Sequence, residues 1–179
     1  RPMTGAILSV GSAADLTLQT IRLTCNQYSN NYFAFISMTT GQTKNVTMDN
    51  INVKDVQGKK SWSSNYLSGL IAFASASVEQ GKATNVVNDA PRTNYTGGIC
   101  GRTELYGSLT RGDTIENFSI TGNGNVGGLA GYTASNVTTG NRAVNGSVKG
   151  NYTVGGLYGA NYMASTAENH QDWLIDTVE

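Results

Sequence analysis

The residues of this chain that can do chemistry are few. Twelve Asp or Glu and twelve Lys or Arg make up the charged set, with one histidine and two cysteines. Acid–base cleavage of a polysaccharide needs two carboxylates held about 5 to 10 Å apart. The acids available are Asp49, Asp55, Asp89, Asp113 and Glu116, with Arg92, Arg102 and Arg111 as nearby bases. Stacking of repeats could bring Asp89, Glu104 and Glu116 together. The acids are scattered along the chain rather than paired, so solvated turn charges are the favoured reading. A second candidate is Glu168, His170 and Asp172, spaced as metal ligands could be. One imidazole beside two acids is ordinary surface chemistry, so neither a metal nor a cofactor is expected.

Two further groups concern binding. Arg111-Gly112-Asp113 is an integrin-type tripeptide, but it is also common turn chemistry, which is the favoured reading. Tyrosines 95, 132, 152, 158 and 162 gather beside glycine-rich phrases. Outward aromatics on a flat strand face can stack on sugar rings or on a protein partner. Tyr132, Tyr158 and Tyr162 are therefore the candidate ligand contacts. The competing reading is an aromatic ladder that only holds successive repeats together.

The elements that position these residues come from a repeat. One phrase reads Thr4-Gly5-Ala6-Ile7, Phe33-Ala34-Phe35-Ile36, Leu67-Ser68-Gly69-Leu70, Thr96-Gly97-Gly98-Ile99, Val126-Gly127-Gly128-Leu129 and Val154-Gly155-Gly156-Leu157. Its closing aliphatic residues lie 29, 34, 29, 30 and 28 positions apart. The last three copies add Gly101, Gly131 and Gly159 two residues on. Between copies runs an alternating stretch such as Leu16–Leu23, Val46–Val53 or Ile115–Ile120, which reads as half-buried strand. The copy near Val86-Val87 looks weakest, because Pro91 follows closely and cannot donate to a central ladder.

The glycine phrase needs a corner. Val126 and Leu129 are three apart, so an unbroken strand would point them to opposite faces. A corner at Gly127-Gly128 lets both point inward. Glycine suits that place because it accepts φ > 0 and because it lets backbones approach closely. Six phrases at near-constant spacing predict an all-β parallel β-helix of about five coils of some thirty residues. Right-handed winding is the expectation for parallel crossovers.

Composition narrows the function. Formal net charge is zero and only 13% of residues are charged. No basic excess exists to neutralise phosphates, so nucleic acid is not an expected partner. No apolar run approaches twenty residues, so no helical membrane insertion is expected. Gly 22, Thr 21, Asn 19 and Ser 15 disfavour helices and favour strands and turns.

The phrases Val126-Gly127-Gly128-Leu129-Ala130-Gly131-Tyr132 and Val154-Gly155-Gly156-Leu157-Tyr158-Gly159 resemble the GLUG repeat. The stretch Val144–Gly150 is similar to the run between GLUG phrases, and the resemblance covers about residues 95–159. It implies a β-helical region of a bacterial surface or secreted protein, of adhesin-like or IgA-protease-like type. IgA-protease-like relatives carry a zinc peptidase helix with an H-E-x-x-H motif. This chain has His170 alone, so the resemblance carries no catalytic residues over.

Three expectations complete the reading. The chain opens and closes in mid-coil, so residues 1–179 are expected to be one β-helical domain from a longer protein, with 165–179 as a possible cap. Cys25 and Cys100 fall two coils apart, roughly 9.6 Å, beyond disulfide reach, so free thiols are expected. Six N-x-[ST] triplets begin at Asn45, Asn94, Asn117, Asn136, Asn145 and Asn151, and composition alone explains them. The function expected is a non-catalytic extracellular module that contacts a host glycan or an extracellular protein. The alternatives are a carbohydrate-active β-helix enzyme and an accessory region of an IgA-protease-like protein.

Overall fold

The computed structural model describes residues 8–25, 32–55, 66–103, 109–134, 137–161 and 177–178. All regular elements among them are strands, and every strand pairing is parallel. The first sheet stacks β1 (Leu8–Val10), β5 (Ile36–Thr39), β9 (Ile71–Ala74), β13 (Cys100–Thr103), β17 (Ala130–Thr133) and β21 (Tyr158–Asn161). The second stacks β2 (Ala13–Ala14), β6 (Thr43–Lys44), β10 (Val78–Glu79), β14 (Leu109–Arg111) and β18 (Val137–Thr139). The third stacks β3 (Thr17–Cys25), β7 (Thr47–Asp55), β11 (Lys82–Asp89), β15 (Thr114–Thr121), β19 (Arg142–Lys149) and β22 (Thr177–Val178). The fourth stacks β4 (Tyr32–Phe33), β8 (Tyr66–Ser68), β12 (Tyr95–Gly97), β16 (Asn125–Gly127) and β20 (Thr153–Gly155).

The chain visits the four sheets in turn and then repeats. That is a parallel β-solenoid with a four-sided coil. Between β4 and β20 it climbs about four turns, slightly fewer than the about five coils expected from the phrase count. The difference is one of counting: a ladder five strands deep contains four axial rises.

Inward residues form ladders. Ile36, Ile71, Cys100 and Ala130 are one; Phe33, Leu67, Thr96 and Val126 are another. All eight are 3% exposed or less, so each aliphatic member contributes about 1.5 to 3 kcal/mol by leaving water. The register corrects one copy of the phrase. Ile36 lies opposite Ile71, not Leu70, because the phrase at Phe33 is one residue short. Pro91 also proves harmless: β11 pairs along its whole length on both sides, and Pro91 sits exposed in the turn beyond it.

The glycine corner is present, with one of its two expected causes. Val126 and Leu129 both point inward, at 0% and 2% exposure. None of the corner glycines of the last three phrases has positive φ. Close backbone approach is the cause instead. A Cβ at Gly98 would lie 2.5 Å from the Gly128 carbonyl oxygen, and one at Gly127 would lie 2.6 Å from the Leu157 carbonyl oxygen. Gly101 and Gly131 have a related duty. Their Cβ positions would meet the Leu67 and Thr96 backbone nitrogens at 3.0 and 2.6 Å. The first and fourth sheets therefore press together across an outer notch.

Positive φ falls on other residues, and it falls once per coil in two columns. Asp15, Asn45, Gln80, Gly112 and Gly140 make the corner between the second and third sheets. Thr20, Asn50, Asn85, Asn117 and Asn145 bend each third-sheet strand in its middle. The bend resets the alternation, so Met48 and Ile51 both point inward although three apart. Asn suits the left-handed region better than most side chains, because its amide can hydrogen-bond locally. Here the amides bond along the axis instead: Asn85 Nδ2 donates to Asp49 Oδ1 (2.8 Å), and Asn50 Nδ2 donates to Thr20 Oγ1 (3.4 Å).

Candidate functional site

The outer notch between the first and fourth sheets collects the aromatic residues. Along the fourth sheet Tyr32, Tyr66 and Tyr95 occupy one register column. Their rings stack at 5.1 and 5.0 Å with planes 17° and 20° apart. That spacing matches the distance between neighbouring strands, so the coil repeat itself sets up the stack. Along the first sheet Phe73, Arg102, Tyr132 and Ala160 occupy the facing column. Phe73 meets Tyr66 edge-on at 5.6 Å, and Tyr132 meets Tyr95 edge-on at 6.1 Å.

Arg102 joins the two columns. Its guanidinium carbon lies 4.7 Å from the Tyr132 ring centre and 5.2 Å from that of Tyr95. Two electron-rich faces at this range stabilise a half-buried cation by about 0.5 to 2 kcal/mol. Arg102, one of the basic residues near the acids in sequence, thus stacks on rings of both columns. Tyr66 is buried, whereas Tyr32, Phe73, Tyr95, Arg102 and Tyr132 are half-buried.

The three tyrosines chosen from the sequence divide. Tyr132 lies in the strip. Tyr158 does not: it continues the inward ladder of Ile71, Cys100 and Ala130, and its hydroxyl accepts a 2.8 Å bond from Asn141 Nδ2. Tyr158 is half-buried and packs against the core, tied to the buried Asn141. Tyr162 lies outside the described residues. Sequence reading missed Tyr32, Tyr66, Phe73 and the stacking role of Arg102. A signal existed. Tyr32, Tyr66 and Tyr95 each directly precede a phrase, and Phe73, Arg102 and Tyr132 each stand three residues after one.

Among the described residues Asp49 and Glu116 share one register column with Thr84 between them, two strand spacings or roughly 9.6 Å apart, while Asp89 lies opposite Thr121, five positions along. Glu104 is outside the described residues. Asp49 accepts from Asn85 and from Thr84 Oγ1 (2.9 Å), and these bonds hold its carboxyl below the usual range. Asp55 accepts from Thr93 Oγ1 at 3.2 Å. Among the described residues no three His, Cys, Asp or Glu side chains cluster as metal ligands. Glu168, His170 and Asp172 lie outside them.

Arg111-Gly112-Asp113 is a structural turn. Gly112 supplies φ +65°, and Asp113 is 1% exposed. Asp113 Oδ1 accepts the Gly81 N–H at 2.7 Å, and Asn141 Oδ1 accepts the Asp113 N–H at 2.9 Å. A carboxylate buried between coils cannot be offered to a receptor. The N-x-[ST] triplets are likewise engaged. The amide nitrogens of Asn45, Asn145 and Asn151 donate to Asp15, Asn117 and Asn123 of the preceding coil. Asn136 is outside the described residues.

Cys100 is a free, buried thiol. Burial pushes its pKa from an ordinary 9.0 up to about 12. The thiol is therefore expected to resist a thiolate-selective reagent at pH 8 in the native protein and to react in denaturant, which a timed alkylation followed by mass spectrometry would read. Fast native labelling at Cys100 would contradict its burial. The raised value stabilises the fold below pH about 9, and this contribution fades as pH rises toward about 12. The side chain of Cys25 is outside the described part.

The fold and strip define a β-solenoid with an outward tyrosine–arginine ladder and a polar, asparagine-laddered coil. No family model, curated protein or solved structure matches the chain.

Proposed function

We propose that this chain is a non-catalytic β-solenoid module of an extracellular bacterial surface or secreted protein, acting in adhesion or ligand presentation. The observation that carries the reading is the half-buried Tyr95–Arg102–Tyr132 strip, an outward aromatic and cationic surface backed by the buried Tyr66. A rigid scaffold of coupled ladders suits recognition, because little is lost in ordering the contact residues on binding. Aromatic and Arg side chains are also the residues that most often anchor interfaces.

The test is a binding screen of the intact chain against glycan and extracellular-matrix protein arrays, run beside a polysaccharide cleavage screen. Binding without cleavage is the expected result. Cleavage abolished by a single Asp or Glu substitution, or no binding to any component, would overturn the proposal.

A further inference from the structure

The tyrosine–arginine strip ends in a step. In the fourth sheet the column Tyr32, Tyr66, Tyr95 passes to Asn125 and Thr153. In the first sheet the column Phe73, Arg102, Tyr132 passes to Ala160. Rings give way to short side chains one coil earlier in the fourth sheet, at Asn125, than in the first, at Ala160, so Tyr132 is the last ring and shares its coil with Asn125. The Thr153 hydroxyl donates to Asn125 Oδ1, which fixes the orientation of the Asn125 amide. Tyr152, adjoining Thr153, is 64% exposed at the rim. Tyr95 and Tyr132 are half-buried below, and Arg102 lies against both.

We propose that this step is a saccharide subsite that takes one pyranose ring of a glycan chain, which deepens the binding-module reading and rests on it. The chemistry matches on two counts. A pyranose has a flat C–H face that packs on an aromatic ring, and a periphery of hydroxyls that both donate and accept. Tyr132 provides the aromatic surface, while Asn125 and Thr153 provide an amide and a hydroxyl beside it. Ala160 provides room, since its methyl stands where an aromatic side chain would prolong the ladder.

Two variants of the full chain test the site against an array of pyranose oligosaccharides. Tyr132→Ala is expected to weaken binding of the best wild-type hit about tenfold, the effect of losing one well-placed ring contact. Ala160→Tyr extends the ladder over the step, so it is expected to abolish binding while leaving the melting temperature equal or higher. The second variant keeps the test sound if Tyr132→Ala unfolds. Saccharide binding that survives Ala160→Tyr would place the subsite elsewhere and overturn the proposal. Wild-type binding to matrix proteins but to no saccharide would also overturn it, and would leave the binding-module reading standing.

Discussion

Gly127→Ala is expected to lower the melting temperature by roughly 10 °C, a loss of 3 kcal/mol or more, on the order seen when a packed site is overfilled with no room to relax. The new Cβ would press on the Ala130 carbonyl oxygen, and would sit 2.6 Å from the Leu157 carbonyl oxygen and 2.7 Å from the Gly159 nitrogen. All three are backbone atoms, and two belong to the coil above. No rotamer change relieves them; the coils themselves must separate. Gly112→Ala is the informative comparison. Its Cβ would meet only Gln80 Cγ at 3.9 Å, but φ is +65°. That substitution should cost about 1 to 2 kcal/mol, the usual penalty for a side chain in the left-handed region. Thermal melts by circular dichroism on both variants separate the two kinds of glycine. Equal shifts would mean that close approach is not what Gly127 provides.

That pair of glycines also shows what the sequence could and could not reveal. The spacing of Val126 and Leu129 was enough to require a corner, and the recurrence of the phrase was enough to require stacked coils. The reason for the glycines was not legible. Close approach involves the next coil, thirty residues away, and no local pattern reports a distance to it. The positive-φ column was partly legible. Apolar residues at 46, 48, 51 and 53 break strict alternation once, at Asn50, and the structure bends there. The copy at Phe33 was misaligned by one residue because its closing Ile36 mimics Leu70 in type. Only pairing against Ile71 decides it.

The candidate site was less legible than the fold. Of the tyrosines beside the glycine phrases, Tyr132 lies in the strip, whereas Tyr158 continues the inward ladder. Its place in the ladder follows from register with Ala130 and Cys100, and this was legible, because each of the three directly follows the last residue of a four-residue glycine phrase. Arg102 was grouped with acids by proximity in sequence. In the folded chain its neighbours are the Tyr95 ring of its own coil and the Tyr66 and Tyr132 rings of the coils on either side. Chemistry-bearing residues in a solenoid meet their partners about one coil length away, so the partner search has to follow the repeat and not the local motif.

The third sheet offers a direct test of that principle through Phe118 and Gly146. They are register partners in neighbouring coils, in a column that runs Ile21, Ile51, Val86, Phe118, Gly146. A Cβ at Gly146 would run into the Phe118 ring itself. The ring also lies 3.0 Å from where a Gly128 Cβ would stand, so it is hemmed in on a second side. Phe118 therefore fills volume that Gly146 vacates, and the column conserves volume across coils. Gly146→Val alone is expected to cost about 2 to 3 kcal/mol, because the ring has nowhere to go. Phe118→Val alone should cost about 2 to 3 kcal/mol, for the lost burial and the cavity left behind. The double variant, which continues the aliphatic ladder of Ile51 and Val86, should cost at least about 1 kcal/mol less than the two single costs combined, a coupling typical of residues in contact. Urea or thermal unfolding of the four proteins measures this. Additive losses would show that the two positions do not share volume, and the ladder would then have to be held by backbone pairing alone at this coil.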